Sequence, residues 1–95
     1  MANLERIKSI VFSRHALEQI VDRGASEHEV RKAVIEGEEV PAKRGRRAFR
    51  KNFPFNSQWK GKYYEIKQVM PIVLKETKEW IVITVFVFYF GGEKK

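Results

Sequence analysis

The chain has 95 residues, 19 Lys or Arg against 12 Asp or Glu, a net charge of +7 and no cysteine. That length builds one domain, residues 1–95, around one core, and the missing cysteine excludes disulfides and thiolate zinc sites and fits a reducing compartment. The opening "MANLERIKSI" lacks the apolar run of a signal peptide, and residues 80–90 are too few and too β-branched for a membrane helix, so the expectation is a cytoplasmic soluble domain with no membrane contact.

The charge is unevenly spread. Residues 1–39 carry six basic and eight acidic side chains, and residues 40–95 carry thirteen and four. Between Glu39 and Glu65 there are eight Lys or Arg and no acid. Such asymmetry suggests an electrostatic footprint for a polyanion partner, nucleic acid or an acidic protein, set against a solvated basic surface that only aids solubility.

In chain order, "IKSIVF" (7–12) reads as a strand or extended lead-in. Ser13 is an N-cap, and Ala16, Leu17, Ile20 and Val21 form the apolar stripe of a first helix that closes at Arg23 and Gly24. Ser26 with Glu29 makes a capping box for a second helix with apolar Val30, Ala33 and Val34, stopping at Gly37. After Pro41 the pattern changes to a hairpin of basic strands, 40–43 and 46–51, turning at Gly45. "NFPFNSQWKGK" reads as an irregular aromatic connection, and residues 62–74 and 80–90 read as long strands joined by the turn "KETKE". The sum is an α+β domain, with two N-terminal helices on one face of an antiparallel sheet of about four strands. A turn centred on Thr77 and Lys78 places Tyr64, Ile66, Gln68 and Met70 with Ile81, Ile83, Val85, Val87 and Tyr89 under the helices. Lys67 and Val69 then share the opposite face with Thr84, Phe86 and Phe88, and a one-residue slip would exchange the two faces.

The stretches "FSRHALEQIVDRGASEHEVRKAVIEG", "YYEIKQV" and "IVITVFVFYF" resemble a widespread bacterial and archaeal domain family of unknown function. Its members open with Ser-x-His-Ala, continue through Arg-Gly-[Ile/Ala]-Ser and end in a strand with a Thr-Val pair. That family has been grouped with the RelE- and BrnT-like toxins, metal-independent ribonucleases with helices packed on a small antiparallel sheet. The resemblance implies a RelE-like fold, no cofactor, RNA as target and an acidic antitoxin as partner. Its motifs fall on His15, Arg23, Gly24, Lys67, Gln68 and Thr84. Phe86 stands where relatives commonly have a tyrosine, so any role of that tyrosine passes to Tyr89 or is absent.

A metal-free ribonuclease needs a base for the 2′-hydroxyl, an acid for the leaving oxygen and cations for the charged phosphorane. His15, in the first turn of its helix, is the candidate for proton transfer, set against bracing of the helix terminus. Arg23 could clamp a phosphate or simply interact with the last carbonyls of its helix. Lys67, in mid-strand, could supply a cationic floor or face solvent. His28, between two glutamates, reads as solvent-facing, Gln68 as a hydrogen-bonded core residue and Thr84 as an ordinary strand former. Arg44, Arg46, Arg47, Arg50, Lys62 and Tyr64 are the candidate nucleic-acid contacts, with Trp59, Phe53, Phe55 and Tyr63 as rings that stack bases or close the core. Two histidines thirteen residues apart, no cysteine, and acids that cluster on the helices rather than in the basic sheet do not make a metal site. The alternative to an enzyme is a binding module for nucleic acid or for an antitoxin. A helix-turn-helix is disfavoured, because the second helix begins Ser26-Glu27-His28-Glu29 and would present negative charge to DNA.

Overall fold

Both serine caps form as their sequence positions predict. In the computed structural model, which describes residues 9–92, α1 (Arg14–Arg23) begins after Ser13, whose Oγ accepts from the Ala16 N–H at 3.0 Å. Gly24 ends it with a left-handed φ of 77°. In α2 (Glu27–Glu36) the Glu29 N–H donates to Ser26 Oγ and the Ser26 N–H donates to Glu29 Oε1, each at 3.1 Å. Ala16, Ile20, Val30, Ala33 and Val34 are buried. Leu17 and Val21, expected in the same stripe, are exposed on the outward side of α1.

Five strands make one mixed sheet in the order β1-β5-β4-β3-β2, with β1 (Ser9–Phe12), β2 (Glu38–Val40), β3 (Arg46–Trp59), β4 (Lys62–Lys75) and β5 (Glu79–Phe90). The expectation of about four antiparallel strands is corrected at β1, which runs parallel to β5 from Ser9 opposite Glu79 to Phe12 opposite Val82. Residues 7 and 8 of the lead-in lie outside the described residues, and so do 1–3 and 93–95 of the two tips, 1–3 and 91–95, that the sequence reads as disordered. Beyond Val82 the outer edge of β5 meets α1 side chains instead. Gln19 Oε1 accepts from the Val85 N–H at 2.7 Å, and Arg23 Nη1 donates to the Val85 carbonyl at 2.8 Å. The helix thereby supplies both hydrogen bonds that a neighbouring strand would give, which accounts for a buried glutamine in α1.

A second correction concerns "NFPFNSQWKGK". It is not an irregular connection: β3 continues through it to Trp59, with a register shift between Pro54 and Ser57. Lys60 and Gly61, at φ 53° and 84°, turn the chain directly into β4. Proline is tolerated because β2 pairs with β3 only as far as Arg50, so Pro54 lies where β3 has no neighbour on that side, next to the bulge.

The third correction exchanges the two faces of β4 and of the first part of β5, while Val85, Val87 and Tyr89 keep the helix side, and Phe86 and Phe88 the open side, expected of them. Pairing near the β4–β5 turn follows the expected register, with Lys75 opposite Trp80, Leu74 opposite Ile81 and Val73 opposite Val82. Then Ile72 pairs with Thr84, so Ile83 is one extra residue in β5. From that bulge onward every partner shifts by one: Val69 faces Val87, Lys67 faces Tyr89, Met70 faces Phe86 and Gln68 faces Phe88. Val69, Val73, Trp80, Val82 and Val85 are fully buried in the core with Phe49. Phe86, Phe88 and Phe90 are exposed, and Gln68 leaves the core side to donate to Asn52 Oδ1 at 2.9 Å.

Candidate nucleic-acid interface

Lys67 is where the reversed register matters most. It does not lie on the face opposite the helices but is 7% exposed beneath the turn between α1 and α2. Its Nζ donates to the Gly24 carbonyl at 2.8 Å, pairs with Glu29 Oε1 at 3.0 Å and sits 5.3 Å from the centre of the Phe55 ring. Glu29 Oε1 already accepts from the Ser26 N–H, so one carboxylate closes the cap of α2 and fastens it to the sheet. These contacts account for the lysine without a ligand.

Around this anchor the end of α1 meets the end of β5 and the tip of the β3–β4 hairpin. The Tyr89 hydroxyl donates to the Arg23 carbonyl at 2.8 Å. Burial, and secondarily the nearby Glu29 carboxylate, push the Tyr89 phenol above its usual pKa, which keeps it a donor. The Tyr89 ring stacks on Trp59 at 5.0 Å and meets Phe55 at 5.1 Å and Tyr64 at 5.6 Å. Gly24 is required here twice over. Its φ is left-handed, and a Cβ would lie 2.6 Å from both the Trp59 ring and the Tyr89 hydroxyl.

A pocket of about 200 Å³ opens at this junction. Its walls are the rings of Trp59, Phe86 and Tyr89 together with Val87. Asp22, Arg23 and Lys60 complete it with charge. Arg23 holds the Val85 carbonyl with Nη1 while its guanidinium lies 5.5 Å from the centre of the Phe86 ring, and Lys60 Nζ lies 5.5 Å from that of Trp59. A larger depression of about 460 Å³ lies along the outward side of α1, against Leu17 and Val21 between Arg14, Glu18 and Asp22. Its whole lining comes from α1 and includes no aromatic ring, so the smaller pocket is the better candidate.

The other predicted residues separate. His15 is exposed in the first turn of α1 and makes no hydrogen bond or ion pair among the described residues. Eight residues of helix, roughly 13 Å of rise, separate it from Gly24, where Lys67 is bound, so His15 and Lys67 do not share one groove. Arg44 and Arg46 are exposed at the start of β3, Arg44 with a φ of 60° in the loop before it. Lys62 and Tyr64 lie in β4 beside the far end of β3, opposite Trp59 and Ser57, roughly 40 Å of strand away. Between them the arginines find acids that the linear charge pattern hides. Arg47 makes a two-pronged pair with Glu39 at 2.9 Å for each bond, Arg50 meets Glu38 at 3.1 Å and Lys51 meets Glu36 at 3.6 Å. These carboxylates come from the end of α2 and from β2, the strand hydrogen-bonded to the basic one.

Of the pocket's rings only Trp59 belongs to the aromatic cluster among cations that the sequence shows, and nothing in the linear pattern marks Asp22 or Phe86 as its neighbours. The "WKGK" tetrapeptide, with Gly61 as second residue of a two-residue turn, is the signal that could have placed Trp59 at a hairpin tip. Among the described residues no helix is long and apolar enough to cross a membrane, and no group of three or more His, Cys, Asp or Glu could hold a metal ion. Comparison with protein-family models, with curated proteins and with solved structures finds no match to this chain.

Proposed function

We propose that the chain is an RNA-directed domain of RelE-like toxin type that holds single-stranded RNA at the junction of α1, β5 and the β3–β4 hairpin tip. The observation that carries this reading is the pocket, in which three rings and two cations surround about 200 Å³. Rings accept unstacked bases and cations neutralise the phosphates beside them. The net charge of +7 adds the long-range attraction, and the Ser-x-His-Ala and Arg-Gly-x-Ser motifs supply the resemblance to the toxin class. The test is fluorescence anisotropy with a labelled single-stranded RNA across a salt series. Affinity should fall as salt rises, and Trp59→Ala should weaken binding about tenfold, since stacking contributes ~1–3 kcal/mol per base. Wild-type protein that ignores RNA at low salt, or a Trp59→Ala variant that binds as well as wild type, sinks the proposal.

Cleavage is a second reading, favoured by one observation. His15 is exposed and unpartnered among the described residues, beside Arg14 at the opposite end of α1. Both groups are open to a strand that continues past the pocket along the helix, with the imidazole taking the 2′-hydroxyl proton and, as imidazolium, returning it to the leaving 5′-oxygen, and the guanidinium, which Glu18 meets at 3.6 Å on the exposed surface, as cation. Incubating the protein with RNA in the presence of chelator decides it: cleavage products should form and His15→Ala should abolish them. RNA that stays intact ends this second reading and leaves the binding reading in place. An acidic antitoxin would compete for the same exposed cations, and such a competitor should displace the labelled RNA.

A further inference from the structure

Asp22 is the group in the pocket that RNA binding by itself does not explain. A carboxylate beside a phosphate-binding surface weakens the attraction for the backbone. Yet Asp22 is exposed and makes no hydrogen bond or ion pair among the described residues, although Arg23 and Lys60 line the same pocket. Its neighbours hold other groups: Arg23 is on the Val85 carbonyl and the Phe86 ring, and Lys60 is over Trp59. Both oxygens of Asp22 are therefore available beside aromatic walls.

An ionised carboxylate only accepts hydrogen bonds, and its two oxygens match a pair of adjacent N–H donors. Among the four RNA bases, guanine alone presents two such donors side by side on its pairing edge, the ring N1–H and the exocyclic amino group. Adenine and cytosine set one amino group beside an acceptor nitrogen, and uracil flanks its single N–H with carbonyl oxygens. Those acceptors would face the carboxylate across a short gap and be repelled. We infer that the pocket is a single-base site for guanine in single-stranded RNA. In it Asp22 accepts from the N1–H and the amino group, the base stacks against Trp59 or Phe86, and Lys60 leaves the Trp59 ring for a flanking phosphate. The inference rests on the RNA-binding reading given above and adds base identity to it.

Four labelled heptamers that differ only in the central base, G, A, C or U within a uridine run, test this by anisotropy with the full chain at one fixed salt concentration. The guanine oligomer should bind at least about fivefold more tightly than the other three, the lower end of what a two-pronged base contact discriminates. Asp22→Asn should remove that preference while the other oligomers bind as well as before or better, because a repelling charge has gone. Free guanosine monophosphate should compete only weakly, since it lacks the flanking phosphates; competition as strong as that of the oligomer would assign the site to a nucleotide rather than to RNA and overturn the inference. Equal affinities for all four oligomers, or a guanine preference that survives Asp22→Asn, overturn it while RNA binding stands. Failure of every oligomer to bind removes both readings together.

Discussion

The two ends of α1 carry the two residues that look most chemical, and they could hardly be more differently treated. At the start, His15 is exposed and bonded to nothing among the described residues. At the end, Arg23 and Gly24 are enclosed by Tyr89, Trp59, Lys67 and Glu29, and the lysine ammonium is held by both a carbonyl and a carboxylate. The packed end owes its shape to protein contacts and offers a ligand only the pocket beside it. The His15 side chain at the other end takes no part in packing, so a functional role for it would cost the fold nothing. Reactivity of a side-chain type and its use in the molecule are thus separate questions, decided by which neighbours the backbone brings within reach.

The sharpest way to break this contrast is to substitute at each end and compare stability. Gly24→Ala should lower the free energy of unfolding by about 2–4 kcal/mol, because the left-handed conformation and the crowding by Trp59 and Tyr89 both oppose a methyl group. His15→Ala should stay within about 0.5 kcal/mol of wild type, as a surface change. Urea denaturation of the two variants measures both, and equal effects would show that the ends are not differently built. Lys67→Met follows in size, at about 2–3 kcal/mol, since it leaves Glu29 and the Gly24 carbonyl short of a donor. Adding Glu29→Gln should recover part of that loss. A double-mutant coupling below about 0.5 kcal/mol would mean that the 3.0 Å pair does not hold the helix turn to the sheet.

A second pair of substitutions carries the comparison to the cations. Lys60 and Lys62 are exposed on the hairpin tip, while Arg47 and Arg50 are held by Glu39 and Glu38. Replacing both lysines by glutamine should lower the salt slope of RNA binding by about 0.7 for each phosphate no longer neutralised, roughly 1.4 in all. Replacing both arginines should change it much less, because their charge is already matched. If the arginine variant loses as much slope as the lysine variant, the basic segment acts as one surface after all.

The helices were legible because their signals are local. Ser13, Gly24, and Ser26 with Glu29 act within one turn, and the stripe residues Ala16, Ile20, Val30 and Val34 fill the core as their spacing predicts. The sheet was half legible. Alternation in β4 and β5 is plain to read, but alternation cannot announce a single extra residue, and Ile83 is as apolar as its neighbours. That one insertion brings Val85, Val87 and Tyr89 onto the side of Val69 and Lys67, so Lys67 is a buried anchor and not the expected open floor. The candidate site was less legible still. Charges sum along a sequence without regard to pairing, and the acids that match Arg47, Arg50 and Lys51 come from Glu39, Glu38 and Glu36, only a short stretch upstream but across a strand or helix contact. Pro54 hid the length of β3, because a proline ordinarily argues against a central strand.

The smallest effect expected concerns the phenol that ties β5 to the packed end of α1. Tyr89 has its pKa raised above 10.0 by burial, and then by Glu29. A folded state that keeps this proton longer than the unfolded chain binds more protons in alkaline solution. The stabilisation is therefore complete below the unfolded pKa near 10 and is lost as pH rises through the higher folded value. In an ultraviolet titration of phenolate, one tyrosine should ionise late, and Tyr89→Phe should delete that late step. The same variant should lose about 1 kcal/mol at neutral pH with the hydrogen bond to the Arg23 carbonyl, and its stability should then decline less steeply through the alkaline range. A late step that persists in Tyr89→Phe would show that the retained proton is not the one on Tyr89, and the junction of α1 with β5 would then be held by its stacked rings and by Lys67 rather than by the hydroxyl.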